Sequence, residues 1–382
     1  MTWQTFAFLI AAGIAFGYSG YRFSILLRMM KAHQGHSNRL DHIAARIQTA
    51  LVNVLGQKAV LKKKGPGIMH ATIFWGFLII TIGTVEQFVS TIHNQVNFEF
   101  IGQTPYSLLV FIQDFFTTAI LVAIGYAFYG RFIVRPQGLG KSLDANIVLL
   151  FTASLMVAIL LMNAFHILGL DPWYRGSMPV SNWLAGQLSA LGLSTEANTH
   201  VGTFFKWIHM LIVLGFSMYI PSSKHLHIVA AGPNTFLRTL PREKGMRPIN
   251  FEDEKVTQYG AAKVTDLSWK DTLDYYSCTE CGRCQDLCPA YNTQKPLSPK
   301  ALILDLKENM YRHKPQILGG KLDEVGHIID ENVTEDVIWA CTSCRACEIA
   351  CPVFIEHTDK IYDARRNLVM MESRFPAEVQ TV

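Results

Sequence analysis

The sequence predicts an all-α membrane protein: a bundle of five membrane-crossing helices followed by a small helical domain outside the membrane. Three observations predict it. Apolar residues make up 50% of the 382 positions and charged ones only 17%. The apolar residues concentrate before about residue 222, and all eight cysteines follow, between Cys278 and Cys351. The length suffices for two domains, and the mean hydropathy is positive. A net charge of +4 gives no basic surface of the kind that binds nucleic acid. The N-terminus lacks the charged start and small-residue cleavage site of a secretory leader.

Five apolar segments, at about 3–27, 67–90, 106–130, 146–168 and 201–221, reach the roughly 20 residues that cross a hydrocarbon core. Their loops differ in charge. Arg22, Arg28, Lys31, Arg39, Arg46, Lys58 and Lys62 to Lys64 follow the first segment. Arg131, Arg135 and Lys141 follow the third, and Lys224, Arg238, Arg242, Lys244 and Arg247 follow the fifth. Loop 91–105 has no Lys or Arg, and loop 169–200 has Arg175 alone. The positive-inside rule therefore puts the N-terminus outside and everything after the fifth span in the cytoplasm. Residues 40–61 and 182–193 carry apolar residues at helical spacing and read as interfacial helices, the first stopped at Gly65-Pro66-Gly67. The expected layout is a transmembrane domain over 1–227, a Pro-rich charged linker over 228–265, a cysteine domain over 266–370, and the start of a further region over 371–382.

The cysteines form two runs, Cys278-x2-Cys281-x2-Cys284-x3-Cys288-Pro289 and Cys341-x2-Cys344-x2-Cys347-x3-Cys351-Pro352. Structural zinc uses two pairs of ligands and needs no third close thiolate followed by Cys-Pro. The triple run instead wraps three thiolates around a [4Fe–4S] cubane, and the fourth cysteine reaches the neighbouring cluster. One cluster is thus expected on Cys278, Cys281, Cys284 and Cys351, the other on Cys341, Cys344, Cys347 and Cys288. Leu287, Ile349 and Val353 are expected to shield the sulfurs.

Histidine inside a span is costly and reads as functional. His209 lies within the fifth span and His227 follows 18 residues later. That is five helical turns, roughly 27 Å along one face, which suits axial ligands of two stacked haems. His70 opens the second span level with His227, with His225 as the rival of His227. His166, near the outer end of the fourth span, is the expected partner of His209; His93 and His200 fit less well. His33, His36, His42, His313, His327 and His357 read as solvated.

The spans, with the run HMLIVLGFSMYIPSSKHLHI over residues 209–228, resemble the cytochrome b (gamma) subunit of respiratory nitrate reductase. That family's fold implies five helices holding two b haems, with ligands on the second and fifth; here the second span carries His70 alone. SCTECGRC-x3-CPAYNTQKPLSPK (277–300) and ACTSCRAC-x3-CP resemble the ferredoxin part of heterodisulfide-reductase-like proteins. The whole order, with Gly67-x-x-His70 and MESRFPAEVQ (371–380), is similar to membrane-bound electron-transfer-flavoprotein:menaquinone oxidoreductases. The resemblance implies a cytochrome b bundle fused to a small ferredoxin domain, electron-transfer flavoprotein or another soluble donor as partner, and menaquinone as acceptor. A cysteine-rich CCG domain usual in the family would follow, in the same chain or as a subunit.

Glu86, Asp114 and Lys206 fall in the outer half of the bundle, and Lys206 shares a helix face with His209. They are the expected quinone site, against the plainer reading of an internal ion pair or of Lys206 reaching the headgroups. Quinol oxidation feeding a cytoplasmic heterodisulfide- or sulfite-reductase-like partner, and a non-catalytic relay anchor, are the alternative functions.

Overall fold

The computed structural model describes residues 2–35, 37–93, 96–136, 142–240, 246–249, 251–252 and 256–377. His36, Lys141, Arg242, Lys244 and the last residues of the 371–382 region lie outside them. Among the described residues there is no strand, only isolated bridges between loop residues. The helices that precede the cysteines are α1 (Trp3–Lys31), α2 (Ile43–Ala50), α3 (Lys58–Leu61), α4 (Lys64–Ile92), α5 (Gln103–Tyr129), α6 (Leu143–Leu170), α7 (Pro179–Leu188), α8 (Thr195–Tyr219) and α9 (His227–Phe236). Those of the cysteine region are α10 (Trp269–Ser277), α11 (Arg283–Asp286), α12 (Pro289–Asn292), α13 (Pro299–Arg312), α14 (Lys314–Leu318), α15 (Glu335–Trp339), α16 (Ala346–Ala350) and α17 (His357–Arg366).

Backbone contacts divide the chain into two units. The first comprises Met1–Tyr21, Val60–Pro136 and Lys141–Ser223. It holds α4, α5, α6, α8 and the first part of α1; counted with the turns that continue α5 and α8, these five helices are 28 to 32 residues long, each long and apolar enough to cross a membrane. Their starts are written locally. Ser142 accepts from the Ala145 amide (3.4 Å) at the head of α6, and Ser194 from the Ala197 amide (3.2 Å) at the head of α8. Threonine hydroxyls inside the spans bond the carbonyl one turn back, as Thr117 does to Gln113 (2.7 Å) and Thr152 to Val148 (2.9 Å). In lipid no water is present to take those protons. Large apolar side chains such as Ile10, Val122 and Leu150 face outward, as expected of a lipid-facing surface. The chain is a multi-pass, all-α membrane protein.

The interior of this unit is built by close helix pairs. α4 packs on α5 where Gly76 meets Ile120 and Phe116, and α6 packs on α8 where Gly169 meets Thr199. A third cluster joins Phe8, Ala12 and Ala15 of α1 to Met210 and Leu214 of α8. Gly67 is required at the α3–α4 junction, because a Cβ there would stand 2.7 Å from the Val60 carbonyl oxygen. Gly65, Pro66 and Gly67 thus open α4 rather than merely stopping the segment before it.

The second unit comprises, among the described residues, Arg22–Ala59 and the part of the chain from Lys224 onward. Its core takes Ile25, Leu26 and Met29 from the last turns of α1 and Leu226 and Ala230 from the α9 region. These pack with Tyr275, Leu302, Ile303, Leu306, Met310 and Leu368. Hydrogen bonds repeat that connection. Tyr276 Oη donates to the Leu26 carbonyl (3.1 Å), and the Gln34 amide to the Thr265 carbonyl (2.8 Å). Arg46 of α2, 2% exposed, bonds the carbonyls of Phe236 (3.2 Å) and Arg238 (2.7 Å) at the end of α9. His33 corrects the solvated reading. Its ring is buried, with Nδ1 bonded to the Met29 carbonyl (2.9 Å) and Nε2 to Thr272 Oγ1 (2.8 Å).

Candidate functional site

The two cysteine runs build two similar loops. In the first, Glu280 and Gly282 have φ of 57° and 78°; in the second, Ser343 and Arg345 have φ of 61° and 59°. Left-handed residues at the same two positions curl each loop so that three cysteines face inward. A backbone amide then meets sulfur: Ser343 N donates to Cys341 Sγ (3.4 Å), and Ile355 N to Cys351 Sγ (3.4 Å). α11 and α16 start from the loops and pack on each other.

Each loop faces a small, partly open cavity. One is lined by Cys278, Cys281, Cys284 and Cys351, the other by Cys341, Cys344, Cys347 and Cys288. In each, three thiols come from one run and the fourth from the other. Among the described residues no three His, Cys, Asp or Glu side chains meet closely enough to hold a single ion. The thiols stand around volumes instead, which suits a cluster and not zinc. None is in a disulfide. Burial raises Cys278 to about 11 and Cys284 to about 12, and pushes Cys351 well above the usual thiol range. Bound iron would displace those protons, since the thiolate is the ligand.

Leu287 and Ile349 do not shield the sulfurs. They are 58% and 67% exposed, because the short helices α11 and α16 turn those positions outward. Cover comes from Leu297, Pro299 and Ile361 at one cavity and from Pro352, Val353 and Ile355 at the other. Arg365 grips the second run, donating to the carbonyls of Ile338 and Cys341 (both 2.7 Å).

Beneath the cavities lies a buried ionic cluster. Lys360 of α17 reaches Asp271 (2.8 Å) and Asp274 (2.6 Å), Lys270 reaches Asp274 (2.7 Å), and Arg39 pairs with Glu356 (2.7 Å). Arg247 contacts Asp359 (3.2 Å) and Asp363 (3.1 Å). Burial alone would raise the Asp271 carboxyl, but Lys360 and Arg247 beside it hold it well below the ordinary range. Sequence reasoning missed this group because its members are spread over more than three hundred positions of chain.

In the membrane unit, His209 is 1% exposed. Its Nε2 stands 3.3 Å from Thr84 Oγ1 on α4. Its Nδ1 makes no hydrogen bond of normal geometry, with only a looser approach to the Leu155 carbonyl of α6. A buried imidazole nitrogen short of a partner in an apolar bundle is costly. His166 does not join it. Its ring lies against Gly202, where a Cβ would clash with the ring. Gly202 is seven residues, roughly 10 Å, up α8 from His209, and Leu155 is eleven residues down α6 from His166. The two helices run antiparallel, so the two rings sit at different depths. The expected His166–His209 pair is therefore corrected, and Thr84 is what α4 presents to His209.

His227 has its Nδ1 held by the Lys224 carbonyl (2.9 Å), a bond that fixes the orientation of the ring. Its neighbour His225 stacks edge-on, with ring centroids 5.3 Å apart. His70 lies in the second turn of α4, three residues after Gly67.

The expected quinone residues separate. Asp114, 1% exposed, accepts from the Val180 amide (2.7 Å), the Ser181 amide (3.2 Å) and Ser181 Oγ (2.5 Å). It caps α7, and that withdraws it from the quinone set. Asp114→Ala should lower stability by about 1 kcal/mol, read as an earlier thermal transition in detergent, while Asp114→Asn should retain most of it. Glu86 accepts from the Phe98 amide (2.7 Å) and Tyr106 Oη (3.2 Å), holding the turn before α5. Lys206 is half-buried on α8, within electrostatic reach of His166.

Residues 274–355 match the family described as a 4Fe-4S dicluster domain. The chain is 34% identical to a Bacillus subtilis (strain 168) protein named "Probable iron-sulfur-binding oxidoreductase FadF", over 98% of this chain and 58% of the relative. It is 30% identical to the "EtfAB:quinone oxidoreductase" of Syntrophomonas wolfei, over 91% of this chain and 52% of that one. A 28% identity covers 42% of this chain and 30% of the "Hdr-like menaquinol oxidoreductase iron-sulfur subunit" of Archaeoglobus profundus. The chain spans little more than half the length of the first two. No solved structure matches. With cysteines ringing two cavities and five helices of spanning length, the chain is a membrane protein that carries a 4Fe-4S dicluster domain and is similar along nearly all its length to iron–sulfur and quinone oxidoreductases.

Proposed function

We propose that this chain moves electrons between a soluble cytoplasmic donor and menaquinone in the membrane. The observation that carries it is the pair of cavities, each ringed by four cysteines drawn from both runs. Cys278, Cys281, Cys284 and Cys351 would hold one [4Fe–4S] cluster, and Cys341, Cys344, Cys347 and Cys288 the other. Bound clusters supply one-electron chemistry; the protein supplies ligands, amide-to-sulfur bonds and a dry setting. His70, His209 and His227 are the residues offered to b haems, His209 without His166. The charge of the loops supports an outside N-terminus and a cytoplasmic dicluster domain. The relative named EtfAB:quinone oxidoreductase supports an electron-transfer flavoprotein as donor and a quinone as acceptor. Glu86 and Lys206 remain the residues offered to the quinone, and a CCG-type partner or further domain belongs to the same reading.

The test counts both cofactor types: a pyridine haemochrome assay together with iron and acid-labile sulfide on the purified chain. Eight irons and eight sulfides are expected from two cubanes, with haem b in addition; a colourless preparation would end the proposal. Glu86→Gln is expected to slow menaquinone reduction by reduced flavoprotein while leaving the haem spectrum unchanged. Normal quinone turnover in that variant would take Glu86 out of the site.

A second reading reverses the current, from menaquinol to a cytoplasmic heterodisulfide- or sulfite-reductase-like partner. It is favoured by the similarity to a menaquinol oxidoreductase subunit and to heterodisulfide reductase subunits. Whether menaquinol or reduced flavoprotein reduces the haems separates the two.

A further inference from the structure

Of the residues around the two cysteine cavities, His357 alone lines both. It was read from the sequence as solvated, yet it is 1% exposed. Its place between the cavities is fixed from both sides. Two residues before it, the Ile355 amide donates to Cys351 Sγ (3.4 Å), a thiol of the first cavity. The next residue, Thr358, donates from its amide (3.0 Å) and its hydroxyl to Glu348, which neighbours Cys347 of the second cavity on α16. The ring itself is locked by Nδ1, which donates to the Ile355 carbonyl (3.0 Å). One turn further along α17, Lys360 anchors the helix between Asp271 and Asp274.

From this geometry we infer that His357 is a positioning residue, the spacer that sets the separation and mutual orientation of the two cluster ligand sets. The inference rests on the cluster assignment above. Protein interiors are close-packed, so a rigid ring shared by two cavities holds their walls at a set distance. Removing it leaves a void into which both ligand loops relax. Electrons passing between neighbouring clusters need no bond to this ring: one cluster loses an electron as the other gains it, and no proton or atom leaves His357.

The test is electron paramagnetic resonance of the fully reduced, purified full-length chain, with iron and sulfide analysis on the same samples. Two nearby paramagnetic clusters interact, and the interaction is sensitive to their separation. His357→Ala and His357→Asn are expected to keep full iron and sulfide but to change the spin–spin pattern, with a several-fold shift in the microwave power at half-saturation. His357→Phe, which restores ring volume without the Nδ1 donor, is expected to stay near the wild-type pattern. Three wild-type-like spectra would overturn the inference. So would a His357→Phe spectrum as altered as that of His357→Ala, because the hydrogen bond and not the ring would then set the geometry. Loss of iron from all three variants would assign His357 to holding the fold and would also overturn it. Failure of the cluster assignment looks different: the wild-type chain itself would lack the signals.

Discussion

Cys351→Ser is expected to lose the cluster whose other three ligands belong to the first run, while the cluster beside Cys351 in sequence survives. Cys351 lines the cavity of Cys278, Cys281 and Cys284, not that of Cys341, Cys344 and Cys347. The mirror variant, Cys288→Ser, should lose the cluster of the second run. Serine is a poor ligand for this iron, and a cubane held by three thiolates is labile. In each variant, iron and acid-labile sulfide should fall by about half, and the spin–spin interaction of the reduced chain should vanish into one simple signal. The assignment of crossed ligands would fall if each serine variant lost the cluster of its own run.

Lys360→Met is expected to be the most damaging substitution away from the cysteines. The lysine is buried between two carboxylates that are themselves fully buried, Asp271 and Asp274. Its removal leaves Asp271 with Arg247 and Asp274 with Lys270 alone, an excess of buried negative charge, and breaking a buried group in this way costs about 3–5 kcal/mol. A domain's whole stability is about 5–15 kcal/mol, so the variant should release iron at temperatures the wild type survives. Lys360→Met combined with Asp271→Asn should recover part of that loss, because Asp274 keeps Lys270 and Arg247 keeps Asp359 and Asp363. No recovery in the double variant would show that packing, not charge, is what Lys360 provides.

The same cluster gives a pH dependence whose sign is fixed. Burial alone would raise Glu356, but Lys270, Arg39 and Lys360 bring it from 4.5 down to about 2, and Asp271 is displaced in the same direction. Groups with a depressed folded pKa stabilise above their unfolded value and lose that contribution on acidification. Stability from Glu356 should therefore be full above about pH 4.5 and decline toward pH 2. Asp363 opposes this: burial raises it from 3.8 to about 6, so its contribution weakens as pH rises through that interval. Thermal melts across pH would resolve the two slopes.

Much of the candidate site was legible in the residues because its signals are local. The left-handed positions at Glu280, Gly282, Ser343 and Arg345 sit inside runs whose cysteine spacing already demands a tight loop. His209 stood out because an imidazole in an apolar span has few uses. His357 did not, because nothing in the stretch Cys351 to Lys360 marks a position as buried; its burial comes from the packing of two loops and α17 around it. Asp114 misled for the related reason that its partners, Val180 and Ser181, lie on a helix sixty-odd positions away in sequence.

The sequence by itself determined the five spans and the two cysteine runs, since hydrophobic length and cysteine spacing are properties of contiguous residues. Tertiary structure decided the rest. It set the depth of His166 against His209, gave Asp114 to the head of α7, and joined the end of α1 to the cysteine helices. Each depends on which helix faces which, and at what height, and that is settled by side chains packing across long stretches of chain.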